Sequence, residues 1–281
     1  MNEFQTKRIG VFDSGVGGLT VLNELYRQLP KESILYFGDT ARLPYGTRSK
    51  AEILQFVREI LTWMNEVGVK MVIMACNTSS ALALDEVRSE FDFPILGLIL
   101  PGARAAVQQG RRIGAIATPA TAASNAYRQA ILEIDANVSV WQVGCPEFVP
   151  LIEQNRLRDP YTRQVAMDYL RPLLENQIDT LIYGCTHYPH LAPVLKTILP
   201  PQVHLVNPAY YVAKAAAREL KLLGLDHHGA RCLPHTRFCV SGDPQRFSQL
   251  SRQWLPEPPN TEKVYLSATR LASMPLNTVD L

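Results

Sequence analysis

The sequence has no C-x-x-C pair, no apolar run long enough to cross a bilayer and almost no excess of one charge. Its five cysteines (Cys76, Cys145, Cys185, Cys232 and Cys239) are odd in number and widely spaced. That excludes a disulfide framework and a zinc pattern, and makes free thiols in a reducing compartment the expectation. The densest apolar stretch, Pro94 to Leu100, is far shorter than a membrane span, so no membrane partner is expected. Met1 to Arg8 is polar and lacks the apolar centre of a signal peptide, which points to a cytoplasmic protein. With 28 basic and 26 acidic residues, the net charge of +2 gives no reason to expect nucleic acid as a partner. Gly15-Val16-Gly17-Gly18 is a turn that can cradle an anion, but it is not the G-x-G-x-x-G dinucleotide fingerprint. No lysine directly follows an apolar strand run, so nothing points to a pyridoxal phosphate Schiff base.

What the chain does have is size and a repeated order. Its 281 residues, 47% of them apolar, suffice for one large domain or two moderate ones. Short apolar runs read as buried strands at Arg8–Phe12, Ser33–Phe37, the run ending at Ala75, and Pro94–Leu100. They alternate with helical patterns at Leu19–Leu29, Ser49–Val67 and Ser79–Phe91. From Pro101 the order recurs, with strands at Arg112–Ala117, Ser139–Val143, the run ending at Gly184, and His204–Val206. A long helical region with breaks near Pro160 and Pro172 precedes the Gly184 strand, and a short helix around Leu191–Leu199 follows it. When Ile9-Gly10 is laid on Ile113-Gly114, Asp13-Ser14 falls on Ala117-Thr118, with nearly equal stretches onward to Cys76 and Cys185. Such an internal duplication predicts an α/β protein of two parallel sheets with crossover helices, related by a pseudo-twofold axis. The cleft between them would carry Cys76 and Cys185 on opposite walls. Beyond a helical pattern over Ala209–Gly224, further strands are expected at Arg237–Val240 and Val264–Ser267, with a helix around Pro244–Trp254 between them.

Ligands bind at the carboxyl ends of strands in open α/β sheets. Ala75-Cys76-Asn77-Thr78 and Gly184-Cys185-Thr186-His187 both stand there. A single cysteine after a buried strand reads as a small core residue; two at matched positions of a repeat read as a working pair. Inverting an α-carbon means removing a proton from one face and returning one to the other, which two groups on opposite sides can do. A thiol has a pKa of about 8.5 that falls at a helix N-terminus or beside a cation, bringing both protonation states within reach near neutrality. His187 could tune or shuttle the proton of Cys185, and Asp13, at the end of a neighbouring strand, would be the matching helper in the first half. Cys145, followed by Pro146 and without an echo, reads as structural, and Cys232 and Cys239 as passive.

Phe12-Asp13-Ser14-Gly15-Val16-Gly17-Gly18-Leu19, Tyr36-Phe37-Gly38-Asp39, Pro44-Tyr45-Gly46, Ala75-Cys76-Asn77-Thr78 and Gly184-Cys185-Thr186-His187-Tyr188-Pro189 together resemble the glutamate racemases of the aspartate/glutamate racemase family. The resemblance implies cofactor-independent and metal-free interconversion of L- and D-glutamate, supplying D-glutamate for peptidoglycan and so for cell-wall biogenesis and cell shape. It also implies a homodimer, and two α/β domains with the active site in the cleft between them: residues 1–98 plus 209–281, and 99–208. Carried over by motif, Cys76 and Cys185 would be the acid/base thiols, assisted by Asp13, His187 and Glu153. Ser14, Pro44, Tyr45, Gly46, Asn77, Thr78 and Thr186 would hold the substrate with Asp13 and the two cysteines, and Thr118 and Thr121 would border it. Leu100 and Asn207 stand where the family commonly has acids, and both are expected at the domain junction.

Three other readings compete. One is aspartate racemase, with the same two-thiol design and a shorter pocket. Another is a thiol hydrolase with Cys185 as nucleophile and His187 as base, against which their nearness in sequence counts. The last is a non-enzymatic amino-acid binding protein, for which neither thiol would matter.

Overall fold

The computed structural model describes residues 7–227 and 236–266. Among these residues the strands are β1 (Arg8–Asp13), β2 (Ile34–Gly38), β3 (Val69–Met74), β4 (Ile95–Gly97), β5 (Arg112–Ala117), β6 (Ser139–Gly144), β7 (Thr180–Gly184), β8 (His204–Val206), β9 (Thr236–Val240) and β10 (Thr261–Lys263). They form two all-parallel sheets, ordered β10-β9-β2-β1-β3-β4 and β6-β5-β7-β8. Every residue of β3 and of β7 is buried, as parallel strands are when helices cover both faces. None of the described helices is long and apolar enough to cross a membrane.

The duplication extends to hydrogen-bond register. The segments β2-β1-β3-β4 and β6-β5-β7-β8 share one topology. Asp13 pairs with Gly38 as Ala117 pairs with Gly144. Phe12 pairs with Met74, and one step further along the repeat Ala117 pairs with Gly184. Superposing the halves this way lays Asp13 on Ala117 and Cys76 on Cys185.

Local chemistry explains several element ends. The helix Lys50–Val67 opens with a capping box, Ser49 and Glu52 each accepting the other's backbone N–H, and closes on Gly68 in the left-handed conformation at φ 83°. Asn207 caps the helix Pro208–Leu222 by accepting from the N–H of Ala209, a task that Asn and Asp perform alike. Leu100 lies half-exposed on the helix Ile99–Gln109, whose Gly102 packs closely against Pro208.

Several expected elements move. The apolar run Pro94–Leu100 is divided: only Ile95–Gly97 is strand, and the chain turns at Leu98 into the helix Ile99–Gln109. An apolar run alone does not separate a buried strand from the buried face of a helix. The helix expected over Ser79–Phe91 starts at Asn77 and breaks at Ala83 into Asn77–Leu82 and Leu84–Val87. Pro172 lies within the unbroken helix Pro160–Glu175, which Asp159 caps ahead of Pro160. A 3-10 turn, Tyr188–Leu191, and the single helical turn Ala192–Leu195 replace the helix drawn over Leu191–Leu199. The final strand is Thr261–Lys263 rather than Val264–Ser267, although the Val264 N–H still donates to Val240. Ser267 and Cys232 lie outside the described residues.

Lys70, with its side chain wholly buried at the start of β3, ties three segments together. Its ammonium meets Glu32 at 2.6 Å, just before β2, and donates to the Leu225 carbonyl (2.7 Å) beyond the helix Pro208–Leu222. Glu32 also accepts the backbone N–H of His227. Removing one partner of such a pair strands the other charge in the interior. Lys70→Met is therefore expected to cost about 3–5 kcal/mol in urea unfolding. Adding Glu32→Leu should recover much of that loss.

Candidate active site

The carboxyl ends of both sheets open on one cavity of about 470 Å³. Asp13, Ser14, Pro44, Tyr45, Gly46, Cys76, Asn77, Thr78, Thr118, Glu153, Cys185, Thr186 and His187 all line it. Thr121 stands directly behind Thr118: its hydroxyl, that of Thr118 and that of Thr78 form a closed triangle with edges of 2.9, 3.1 and 2.9 Å. One corner of the triangle comes from the first half of the chain and two from the second.

Asp13 ends β1 fully buried. Its carboxylate accepts the N–H groups of Gly18 (2.8 Å) and Gly15 (3.2 Å), which is what the glycine-rich turn is for. Burial raises its pKa; the charge of His187 and the backbone donors pull the other way without cancelling it. A Cβ on Gly17 would lie 2.3 Å from Nδ1 of His187 and 2.6 Å from Oγ1 of Thr186. Only glycine lets the first half approach the second so closely there.

Cys76 is the N-cap of the short helix Asn77–Leu82, and burial pushes its thiol up to about 12, with the Asp13 and Cys185 charges adding to the effect. Hydrogen bonds from Ser79 oppose this and lose. The lowered pKa expected at a helix N-terminus is thus overturned, because a six-residue helix offers less than the desolvation removes. Cys185 stands in different company. Its sulfur lies 3.7 Å from Nδ1 of His187, whose Nε2 lies 3.2 Å from Glu153 Oε1. Burial disfavours the charged imidazole, but hydrogen bonds to Cys185 and Glu153, and their charges, outweigh it and push His187 up to about 10. Nearness in sequence does not keep Cys185 and His187 from facing each other, since the backbone turns at His187 (φ −75°, ψ −31°). Cys185 and His187 are therefore within reach of each other, as a nucleophile and its base would be.

Asn77 carries a donor for a ligand. Its Oδ1 accepts from the Tyr127 hydroxyl (2.6 Å), while its buried Nδ2 has no partner. Unpaired buried donors are rare enough to call for a reason, and a carboxylate in the cavity supplies one. The Pro44-Tyr45-Gly46 loop is held by Asp39, which accepts from the Tyr45 hydroxyl, from Arg42 Nε (2.6 Å) and from Ser241 Oγ (2.7 Å). Sequence reasoning missed Arg246 and Leu250, on the helix Pro244–Ser251, and Gln154, all of which line the cavity. Nothing in the linear pattern of the tail marks them. Cys145, read as structural, also borders the cavity, with its thiol 3.5 Å from the Val143 carbonyl. Cys239 is buried in β9, away from the cavity lining.

The two sheets bring two thiols, a carboxylate and an imidazole to one cavity, and the chain matches the racemases, a class of isomerase. The family model for Asp/Glu/Hydantoin racemases matches residues 9–216. A glutamate racemase from Gloeothece citriformis is 67% identical over 280 residues, covering 100% of both chains. Among solved structures, glutamate racemase isoform RacE1 from Bacillus anthracis superposes with a TM-score of 0.89 at 37% identity, covering 93% of this chain and 98% of the other. The Francisella tularensis glutamate racemase, solved in complex with D-glutamate, gives 0.87 at 35% identity, covering 94% and 99%. The chain belongs to the Asp/Glu/Hydantoin racemase family, and its resemblance to the glutamate racemases holds along its full length.

The raised pKa of His187 has a consequence for stability. The folded chain keeps this proton to about pH 10, whereas an ordinary histidine releases it near 6.5. The stabilisation is whole below about pH 6.5 and drains away as the pH climbs toward 10. Thermal unfolding midpoints measured between pH 7 and 10 should fall for the wild type, and fall less steeply for His187→Gln.

Proposed function

We propose that this chain interconverts L- and D-glutamate by passing protons between Cα and two thiols, Cys76 at one face and Cys185 at the other. The observation that carries the reading is the register-matched placement of the two sulfurs at equivalent strand ends of a duplicated fold, both opening on one cavity. Cys76 feels the other thiol: the charge of Cys185 is among the causes that raise it.

The two sides are unlike. Cys76, neighboured by buried Asp13, carries its proton at rest. Cys185 faces Nδ1 of His187, which Glu153 holds from behind. When Cys185 takes the α-proton, Cys76 delivers its own to the opposite face, and the reverse direction exchanges the roles. Asp13 accepts or returns charge on the Cys76 side, and no cofactor or metal enters. Asn77 Nδ2, the Thr78–Thr118–Thr121 hydroxyls, Ser14, Thr186 and the Pro44-Tyr45-Gly46 loop hold the amine and carboxylates. D-Glutamate would feed peptidoglycan synthesis in the cytoplasm. The working unit would be a homodimer of chains divided into domains 1–98 plus 209–281 and 99–208.

Support for glutamate over aspartate comes from relatives matched over their whole length under that name, one of them holding D-glutamate. The Cys185–His187–Glu153 line would also suit a hydrolytic nucleophile. The second thiol across the cavity has no part in that chemistry and favours proton transfer.

Replacing either Cys76 or Cys185 by Ala should lower racemisation by at least about 10²–10⁴-fold in both directions, followed by circular dichroism of glutamate. In heavy water the first product should carry deuterium at Cα while remaining substrate does not. Full activity of either variant, or equal early labelling of both enantiomers, would sink the two-thiol scheme.

Among the described residues Arg246 is the only arginine or lysine lining the cavity; it is exposed, and no described residue pairs with it. Asp13, buried, and Glu153, partly buried, share the cavity with it, so this charge favours entry of an anionic substrate. Arg246→Gln should raise KM about 3- to 10-fold and leave kcat near the wild-type value, with the difference shrinking as salt is added.

A further inference from the structure

His187 is held by more than its two hydrogen bonds. On one side the backbone of Gly17 lies against the ring. On another, the indole of Trp254 stands edge-on to it, with ring centroids 5.6 Å apart at 88°, and also packs on His190 at 4.6 Å. Trp254 is anchored in turn. Its Nε1 donates to Thr20 Oγ1 (3.2 Å), whose own hydroxyl donates to the carbonyl of Thr186, and its carbonyl accepts from Asn23 Nδ2 (3.0 Å). The preceding residue, Gln253, donates from Nε2 to the carbonyl of Glu153 (3.2 Å). Two adjacent tail residues therefore bear on the imidazole, on the residue carrying its carboxylate partner, and, through Thr20, on the peptide between Cys185 and His187.

We infer that Gln253 and Trp254 form a positioning clamp for the Cys185 half of the reaction, a role that rests on the two-thiol reading above. The imidazole has little freedom to spare, because a small rotation lengthens the 3.7 Å approach to sulfur and the 3.2 Å approach to Glu153 together. Neither clamp residue lines the cavity, so both act through His187 and Glu153 and not on the substrate. Cys76 packs in a different core cluster from Trp254.

This one-sidedness has a measurable signature. Two enantiomers are equal in free energy, so kcat/KM must fall by the same factor in both directions whichever half-reaction is slowed. The isotope effects need not move together. Slowing the Cys185 step raises the substrate deuterium effect for the enantiomer whose α-proton Cys185 removes. It lowers the effect for the other enantiomer, whose C–H bond is broken at Cys76.

The test measures kcat/KM for both enantiomers of glutamate, α-protiated and α-deuterated, in wild type and in Trp254→Phe, with Cys185→Ala alongside. Trp254→Phe should lose roughly 10- to 100-fold equally in both directions, with the two deuterium effects moving apart. Far-UV circular dichroism and the unfolding midpoint show whether the variant is folded. If it is not, Gln253→Leu, which removes one hydrogen bond at a half-buried position, carries the same expectation of diverging effects. Unchanged kinetics, or a loss in which both isotope effects move together, overturns the clamp and leaves the two-thiol scheme standing. Racemisation surviving in Cys185→Ala overturns the scheme, and the clamp with it.

Discussion

The site depends on a carboxylate deprived of water. Asp13 ends an inner strand of the larger sheet, among the described residues with no arginine or lysine paired to it, and two backbone N–H groups of a glycine turn do part of the work that solvent would otherwise do. Its charge is among the causes that hold Cys76 protonated, and the opposite attraction links it to His187 on the other half. This buried group is thus coupled by charge to both walls of the cavity. A thiol that keeps its proton stands near it, and an imidazole that keeps its own stands where the second thiol needs a partner.

Much of this was legible in the chain itself, for reasons that can be named. The duplication showed because strand, turn and cysteine recur at fixed order, and parallel strands buried on both faces are written as plain apolar runs. The two cysteine motifs, Asp13 and His187 could be singled out because each follows directly on such a run. Glu153 could not: nothing in Phe148–Glu153 marks it, and only resemblance pointed there. Boundaries failed where one apolar run serves two elements, as at Pro94–Leu100. The acidity expected of Cys76 failed because a helix end can be read from sequence but the depth of burial around it cannot.

The tail was the least readable part and is tied most widely into the site. Its helix Pro244–Ser251 brings Arg246 and Leu250 to the cavity, and its Ser241 helps fix Asp39, which steadies the loop bearing Tyr45. None of these residues belongs to the duplicated pattern. They lie between the two strands added to one edge of the first sheet, β9 and β10, which among the described residues have no counterpart in the second. The repeat supplies two equivalent walls, and this unpaired addition makes them inequivalent, packing Trp254 against the histidine side alone.

The threonine triangle bears on how a closed cavity can exchange its contents. Thr78 reaches across to Thr118 and Thr121, so this stretch of the seam between the halves is made of hydroxyls. A hydroxyl donates and accepts, and its hydrogen swings freely, so water can take the place of any corner without leaving a group unsatisfied. A seam of leucines would expose oil each time it parted, and a seam of ion pairs would have to be rehydrated at high cost. Three alcohols exchange their mutual hydrogen bonds for water at little cost, so this stretch of the seam resists parting less than either of those would.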